Sequence, residues 1–122
     1  MGASMDISMG KSELTLQTLL SERCKPLTGA SHRLPDADIH SALTLLPGWQ
    51  LKDQQLVREF RFADYYQTMA FVNALAFVAH RQDHHPDISL HFNRAVVCFA
   101  THDVGGISRN DLICAAHAQQ LA

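Results

Sequence analysis

The pattern of apolar and polar positions predicts three helices in the part of the chain after residue 33. Apolar residues at helical spacing follow Pro35, which suits the first turn of a helix, and they predict a short amphipathic helix ended by Pro47-Gly48. The longest helix is predicted over Tyr65 to about Gln82, where a wide apolar face follows a capping pattern. The third is predicted to begin at Ser108, because Asp111 stands three residues later, as in a capping box.

Four further segments alternate apolar and polar residues, which is typical of half-buried strands. Two of them form a predicted hairpin, and the other two are joined by a tight turn at Asn93-Arg94. The predicted strands are residues 49–51, 56–62, 88–92 and 95–101. This order predicts an α+β domain in which a four-stranded antiparallel sheet has three helices packed on one face. Since one layer of helices leaves a sheet edge or face uncovered, we expect a homodimer or homotetramer.

The first thirty residues carry a weaker pattern. Residues 1–12 are small and polar and include three methionines, and the leucines that follow predict no more than one or two helical turns before Cys24. We therefore divide the chain into an N-terminal leader, residues 1–30, that is partly disordered or forms a short helix, and one domain over residues 31–122.

Composition and charge narrow the class of protein. Ten basic and twelve acidic residues give a net charge of −2, so the chain lacks the basic surface that direct contact with nucleic acid or an anionic membrane would need. There is no apolar run of about 18 residues and no signal-peptide pattern, which predicts a cytoplasmic protein without a membrane segment. The three cysteines form no C-x-x-C pair, and we expect reduced, mostly buried thiols.

A group of histidines follows the predicted long helix. His80 and His84 are four residues apart, so a helix running through both would place them on one face. Pro86 stops the helix and makes the residue before it extended, so the ring of His85 should leave on a different side. His102 follows an apolar strand, and a helix end and a strand end can meet at one rim of a sheet. Three imidazoles there would move protons near neutral pH, since the ordinary pKa of imidazole is about 6.5.

Two other interpretations fit the same spacing. Histidines near a loop are often solvated surface residues. A metal site is the second, since His80 and His84 have the separation found in zinc-binding helices and His102 would be a third ligand. Against it, no glutamate stands between the first two histidines, where a zinc protease carries its general base. Nearby residues have plain structural explanations too: Asp111 as a helix cap, and Trp49 as a core aromatic rather than the wall of a ligand pocket.

The arrangement of these residues resembles the signature of the pterin-4a-carbinolamine dehydratases. The residues that carry the signature are His80, His84-His85-Pro86, Phe92, His102 and Asp111. Similar segments surround them: Gly48-Trp49, Phe60-Arg61-Phe62, the stretch from Asp83 to Asp87, Thr101-His102-Asp103 and Gly105-Gly106-Ile107. The resemblance extends from Leu34 to Leu121 and leaves most of the N-terminal leader outside it.

The resemblance implies a 4a-hydroxytetrahydrobiopterin dehydratase. Such an enzyme converts 4a-hydroxytetrahydropterin to quinonoid dihydropterin and water during pterin cofactor recycling, with no metal and no cofactor. By similarity, His84, His85 and His102 are the catalytic residues, with His84 and His102 as the acid–base pair and His85 orienting the ligand or stabilising charge. The residues implied to bind the substrate or shape its pocket are Trp49, His80, Asp83, Pro86 and Asp87.

One departure and one alternative accompany this resemblance. His80 stands where many members carry glutamate, and a neighbouring imidazolium would disfavour protonation of His84. The alternative is a non-enzymatic role, because members of this family also resemble dimerisation cofactors that bind helical partners of transcription factors. The long helix with its alanine-rich face would serve such a role.

Overall fold

The computed structural model describes residues 14–122. The interpretation of residues 1–12 as part of a leader lies outside the described residues. In chain order the helices and strands are α1 (Leu16–Ser21), α2 (Asp36–Leu43), β1 (Gln50–Lys52), β2 (Gln55–Arg61), α3 (Tyr65–Gln82), β3 (Asp87–Leu90), β4 (Arg94–Phe99) and α4 (Arg109–Gln120), with short 3-10 turns at Ala30–His32 and His102–Val104. No helix within residues 14–122 combines the length and the apolar character needed to cross a membrane.

The four strands form one antiparallel sheet in the order β1-β2-β4-β3. A two-residue turn closes the first hairpin, and both of its residues, Asp53 and Gln54, have a positive φ (52° and 64°), as tight hairpin turns require. Along β4, Ala95, Val97 and Phe99 are buried while the residues between them are half-buried. One face of the sheet is therefore covered by helices, and the predicted α+β class with a four-stranded antiparallel sheet is confirmed.

The helices differ from the sequence prediction in one boundary. Besides the three helices predicted after residue 33, the described residues contain the short helix α1, which lies where one or two helical turns were predicted before Cys24. The helix predicted after Pro35 ends at Leu43, and the next residues form turns that still bury Leu46. Helix α3 has the predicted bounds, and its first turn is capped because the Asp64 carboxylate accepts a hydrogen bond of 2.8 Å from the backbone N–H of Gln67.

Helix α4 is enclosed by the rest of the described chain. Six of its apolar residues are at most 2% exposed: Leu112, Ile113, Cys114, Ala115, Ala116 and Ala118. Alanines on a helix allow neighbouring elements to approach closely, and α1, α3 and β4 all pack against this one. An aromatic cluster continues the core beside the sheet, where Phe60 contacts both Trp49 and Phe71 at ring-centroid distances of 5.9 and 4.5 Å.

The segment after α1 connects the end of α3 to the start of α4. The backbone N–H of Cys24 donates to the side chain of Gln82, at 2.8 Å. Lys25 exchanges two hydrogen bonds with the side-chain amide of Asn110, at 2.7 and 3.2 Å. The guanidinium of Arg109 donates twice to the Glu22 carboxylate. These contacts hold together the two helix ends that carry the site described below.

We expect the substitution Thr68→Val to lower the free energy of unfolding by about 1 kcal/mol, because it replaces a buried, hydrogen-bonded hydroxyl by a methyl group of nearly the same shape. The single proton of this hydroxyl is shared between the carbonyls of Asp64 and Phe92, at 2.8 and 3.1 Å, and so connects α3 to the β3–β4 loop. Urea denaturation would measure the loss. The exposed Thr44, whose hydroxyl donates to the Ser41 carbonyl, is the matched control, and an equal loss in Thr44→Val would contradict the prediction.

Candidate active site at the end of the long helix

Helix α3 ends in a turn that redirects the chain just before His84. Asp83 has a φ of 52°, and the backbone N–H groups of His84 and Asp83 donate to the carbonyls of Ala79 and His80, which is the Schellman arrangement. The expectation that His80 and His84 share one helix face is therefore wrong. Pro86 explains the difference, because it excludes helical backbone for its predecessor and the helix ends before reaching it.

The side chain of His84 makes a short contact with a buried carboxylate. Its Nε2 lies 2.6 Å from Oδ1 of Asp111, and the two side chains are 13% and 0% exposed. The ring also stacks on Phe99, with centroids 6.1 Å apart and planes 9° from parallel. Because Nε2 faces the carboxylate, Nδ1 is the nitrogen left without a partner among the described residues, and it is the atom that can exchange a proton with a ligand.

Asp111 is held by donors from three parts of the chain. Its Oδ2 accepts from the hydroxyl of Thr101, at 2.6 Å, and from the backbone N–H of Ser108, at 2.8 Å. The Ser108 hydroxyl lies 2.6 Å from the Thr101 hydroxyl, so it donates to the oxygen of Thr101. Burial of a carboxyl group is costly unless both of its oxygens form hydrogen bonds, and together with His84 these groups satisfy both oxygens of Asp111.

The environment of His84 raises the pKa of its imidazole above the ordinary value. Burial of the ring acts to lower that pKa, but the hydrogen bond and the negative charge of Asp111 together outweigh burial, with smaller contributions from Cys24 and Asp83. An imidazolium at His80 was expected to disfavour protonation of His84. The pKa of His84 is nevertheless raised, and His80 is not among the causes. The carboxylate that favours the charged ring comes from α4 instead.

The other two predicted catalytic histidines are linked to His84 in different ways. His85 is its neighbour in the chain, and His102 follows a residue that bonds to Asp111. His85 follows His84 directly and is exposed. His102, also exposed, opens the 3-10 turn that follows β4. Its chain neighbour Thr101 bonds to the same carboxylate as His84, so one buried group ties the two backbone segments together. The catalytic roles of the three histidines stay predictions.

The residues predicted to bind substrate lie in different surroundings. Asp83 and His80 are exposed at the end of α3, Asp87 is exposed at the start of β3, and Pro86 is half-buried between them. Trp49 is 4% exposed and packs in the core between Phe60 and Phe99. Its indole N–H has no partner within the described residues. A contribution of these five residues to a pterin pocket likewise stays a prediction.

Asp111 is the site residue whose second role the sequence interpretation did not assign. Its position three residues after Ser108 correctly predicts the capping box, and one oxygen does accept the Ser108 N–H. The signal for a further role is the burial of a charged residue at a helix start, since a cap needs only one of its two oxygens. The second oxygen is the one that contacts His84.

Other parts of the described surface bear on ligand binding. Within residues 14–122, no group of three or more His, Cys, Asp or Glu side chains is arranged to hold a metal ion. A cleft of about 600 Å³ lies between the segment after α1 and helix α4. Its ionisable lining residues are Glu22, Arg23, Lys25, His32 and Arg109. None of the three predicted catalytic histidines lines this cleft, so it is distinct from the His84 site.

Comparison with known proteins identifies the family. The sequence model of the family described as "Pterin 4 alpha carbinolamine dehydratase" matches residues 32–121. The chain is 56% identical over 105 residues to a protein of Stenotrophomonas maltophilia (strain K279a) named "Putative pterin-4-alpha-carbinolamine dehydratase", a match that covers 84% of this chain and 90% of the relative. The chain therefore belongs to the pterin 4 alpha carbinolamine dehydratase family.

Solved structures give the same fold and a wider range of roles. A crystal structure titled "transcriptional coactivator/pterin dehydratase" from Brucella melitensis matches with a TM-score of 0.71 and 33% identity, over 74% of this chain and 98% of the other. A second match, with a TM-score of 0.51 and 28% identity over 61% of this chain and 86% of the other, is described as a pterin dehydratase-like protein that is a RuBisCO assembly factor in the alpha-carboxysome.

We expect the substitution Asp111→Asn to lower the pKa of His84, because it removes the negative charge that opposes the effect of burial. Proton NMR of the imidazole, titrated in wild type and variant, would measure the change. Since the amide of the new side chain retains hydrogen-bonding capacity at the helix start, circular dichroism should still report a folded protein. An unchanged His84 pKa in a folded variant would contradict the assigned cause.

The raised pKa of His84 also predicts how stability depends on pH. A group that binds its proton more tightly in the folded state stabilises the protein fully below its unfolded pKa, about 6.5, and this contribution is lost as pH rises through the folded pKa. The difference in unfolding free energy between wild type and His84→Gln should therefore shrink as pH rises above about 6.5. Gln17→Ala, which removes no titrating group, should give a difference that does not vary with pH.

Proposed function

We propose that this protein dehydrates 4a-hydroxytetrahydropterin to quinonoid dihydropterin and water by histidine general acid–base catalysis, as part of pterin cofactor recycling. The observation that carries the proposal is the shared carboxylate of Asp111. It accepts from the ring of His84 and from the hydroxyl of Thr101, next to His102, and so gives the two histidines a common anchor. Membership of the dehydratase family supports the same reaction.

The reaction needs one proton delivered and one removed. The bond between C4a and its hydroxyl oxygen breaks as that oxygen accepts a proton and leaves as water. The N5–H bond gives up its proton, and its electron pair forms the double bond between N5 and C4a. Each transfer suits an imidazole near neutral pH, and assistance of this kind is typically worth ~10²–10⁴-fold in rate.

We assign the acid to His84 and the base to His102. Asp111 raises the pKa of His84 above the ordinary value for histidine. At a given pH near neutrality, more of this ring is therefore protonated than of an ordinary imidazole, and it can donate that proton through Nδ1. His102 is exposed in the turn after β4, and we assign its ring to accept the N5 proton. His85 orients the ligand or stabilises its charge. The substrate-binding residues in this proposal are Trp49, His80, Asp83, Pro86 and Asp87.

Replacing either member of the proposed pair should remove most of the catalysed rate. For His84→Ala and His102→Ala we expect losses of ~10²–10⁴-fold, measured as the ultraviolet absorbance decay of chemically generated 4a-hydroxytetrahydropterin. In the Asp111→Asn variant, the alkaline limb of the pH–rate profile should move to lower pH, because the acid loses its proton earlier.

The matched control is His40→Ala, which removes an exposed imidazole from α2, away from the site. Its rate should equal that of wild type. If wild-type protein converts the substrate no faster than buffer does, the enzymatic proposal fails, and a non-enzymatic partner-binding role of the same fold becomes the better account.

Self-association is a second proposal, which is compatible with the first. Helix α3 carries a stripe of exposed residues at helical spacing: Tyr66, Ala70, Asn73 and Phe77. Tyr66 and Phe77 are 81% and 62% exposed, which is unusual for two large aromatic residues on one helix face. We propose that this stripe packs against a second copy of the chain in a homodimer or homotetramer.

Light scattering after size-exclusion chromatography tests this second proposal. Wild type should have the mass of a dimer or tetramer, and Phe77→Glu should reduce that mass, because burying a carboxylate at a dry contact is costly. Gln17→Glu places the same charge at an exposed position of α1 and should leave the mass unchanged. A wild-type monomer, or a Phe77→Glu protein of unchanged mass, would contradict the proposal.

A further inference from the structure

Two cysteines lie in contact behind the His84 site and have no role in the proposed reaction. The sulfur of Cys24, in the segment after α1, is 3.5 Å from the sulfur of Cys114, in helix α4. Both are free thiols, as is Cys98 in β4. The contact joins two positions that are 90 residues apart in the chain.

The backbone holds the two sulfurs in this position. Cys24 N–H is fixed to Gln82 at the end of α3, and the next residue, Lys25, is fixed to Asn110 at the start of α4. Cys114 is 1% exposed within that helix, whereas Cys24 is half-buried. The pair therefore joins one partly exposed residue to one enclosed residue.

The surroundings make the two thiols chemically different. The hydrogen bond from Cys114 lowers the pKa of Cys24, against the effect of burial, and nearby His84 adds to the lowering. For Cys114 the same contact and its burial raise the pKa, so this residue is the protonated thiol of the pair before oxidation. A thiolate is the reactive form of cysteine. We therefore assign Cys24 as the nucleophile of the pair and Cys114 as the resolving thiol.

We propose that Cys24 and Cys114 form a redox-modification site that reacts with hydroperoxides and closes as an intramolecular disulfide. The Cys24 thiolate attacks the distal oxygen of hydrogen peroxide, the O–O bond breaks, and the hydroxide released takes up a proton to leave as water. The sulfenic acid on Cys24 is then attacked by Cys114: the Cys114 S–H bond breaks, its sulfur forms the S–S bond, and its proton passes to the S–OH oxygen, which departs as a second water. In sum, two thiols are oxidised to a disulfide and one peroxide is reduced to two waters.

The geometry favours closure over further oxidation. A disulfide has sulfurs about 2.05 Å apart, so the two sulfurs have to approach by about 1.5 Å to form the bond. Because Cys114 is already in contact, the sulfenic acid would meet a thiol before it meets a second peroxide. The bond would fasten the segment after α1 to α4, one turn beyond Asp111.

Thiol counting after peroxide treatment of the full-length protein tests the proposal. Incubation with a small excess of hydrogen peroxide should reduce the free thiols, counted after unfolding, from three to one. Peptide mapping without reductant should find the peptides of Cys24 and Cys114 joined, and dithiothreitol should restore all three thiols. None of these measurements depends on dehydratase activity, so their failure is distinct from failure of the proposed function.

Three variants separate the site from general thiol oxidation. Cys98→Ser should still form the bond and go from two thiols to none, whereas Cys24→Ser should keep both of its thiols under the same treatment. In Cys114→Ala, a dimedone-trapped sulfenic acid should accumulate on Cys24. The proposal is overturned if wild type keeps three thiols at a peroxide dose that oxidises a simple thiol such as glutathione. It is equally overturned if oxidation joins chains through Cys98 or stops at a sulfinic acid on Cys24.

Discussion

The contact between His84 and Asp111 is the constraint on which the site depends. A fully buried carboxylate at the start of α4 meets an imidazole that has just left the end of α3. Burial alone would make the imidazole less basic, and the carboxylate reverses that tendency. The same carboxylate also accepts hydrogen bonds from Thr101 and Ser108. A change at either residue would therefore disturb the contact between Asp111 and the His84 ring. The Asp111 side chain therefore both caps a helix of the fold and sets the pKa of the histidine in the proposed site.

The elements around this contact serve to keep it in place. The Schellman turn at Asp83 ends the long helix at the point from which His84 can reach α4. The capping box orients Asp111, and the segment after α1 joins both helix ends through Gln82 and Asn110. This segment lies before the residues that match the family model, so part of the support for the site comes from outside the matched region.

The sequence was informative where the physics is local. Helix α3 and its cap follow from Asp64, Gln67 and the apolar face, and the hairpin follows from a polar turn between alternating segments. Proline at position 86 correctly predicts that the helix cannot continue. The same local reasoning failed for His80 and His84, because a spacing of four residues places two side chains on one face only if the helix persists through both, and Asp83 reverses the backbone between them.

By itself the sequence determined the α+β class, the order of strands and helices in the domain, and the resemblance to a dehydratase family, since propensity, capping and residue spacing are all properties of nearby positions. The tertiary structure alone decided that Asp111 contacts His84 as well as capping a helix, that Trp49 packs in the core, and that two cysteines 90 residues apart touch. Such contacts depend on how helices cross and on which side chains become buried, and no pattern of neighbouring residues specifies either.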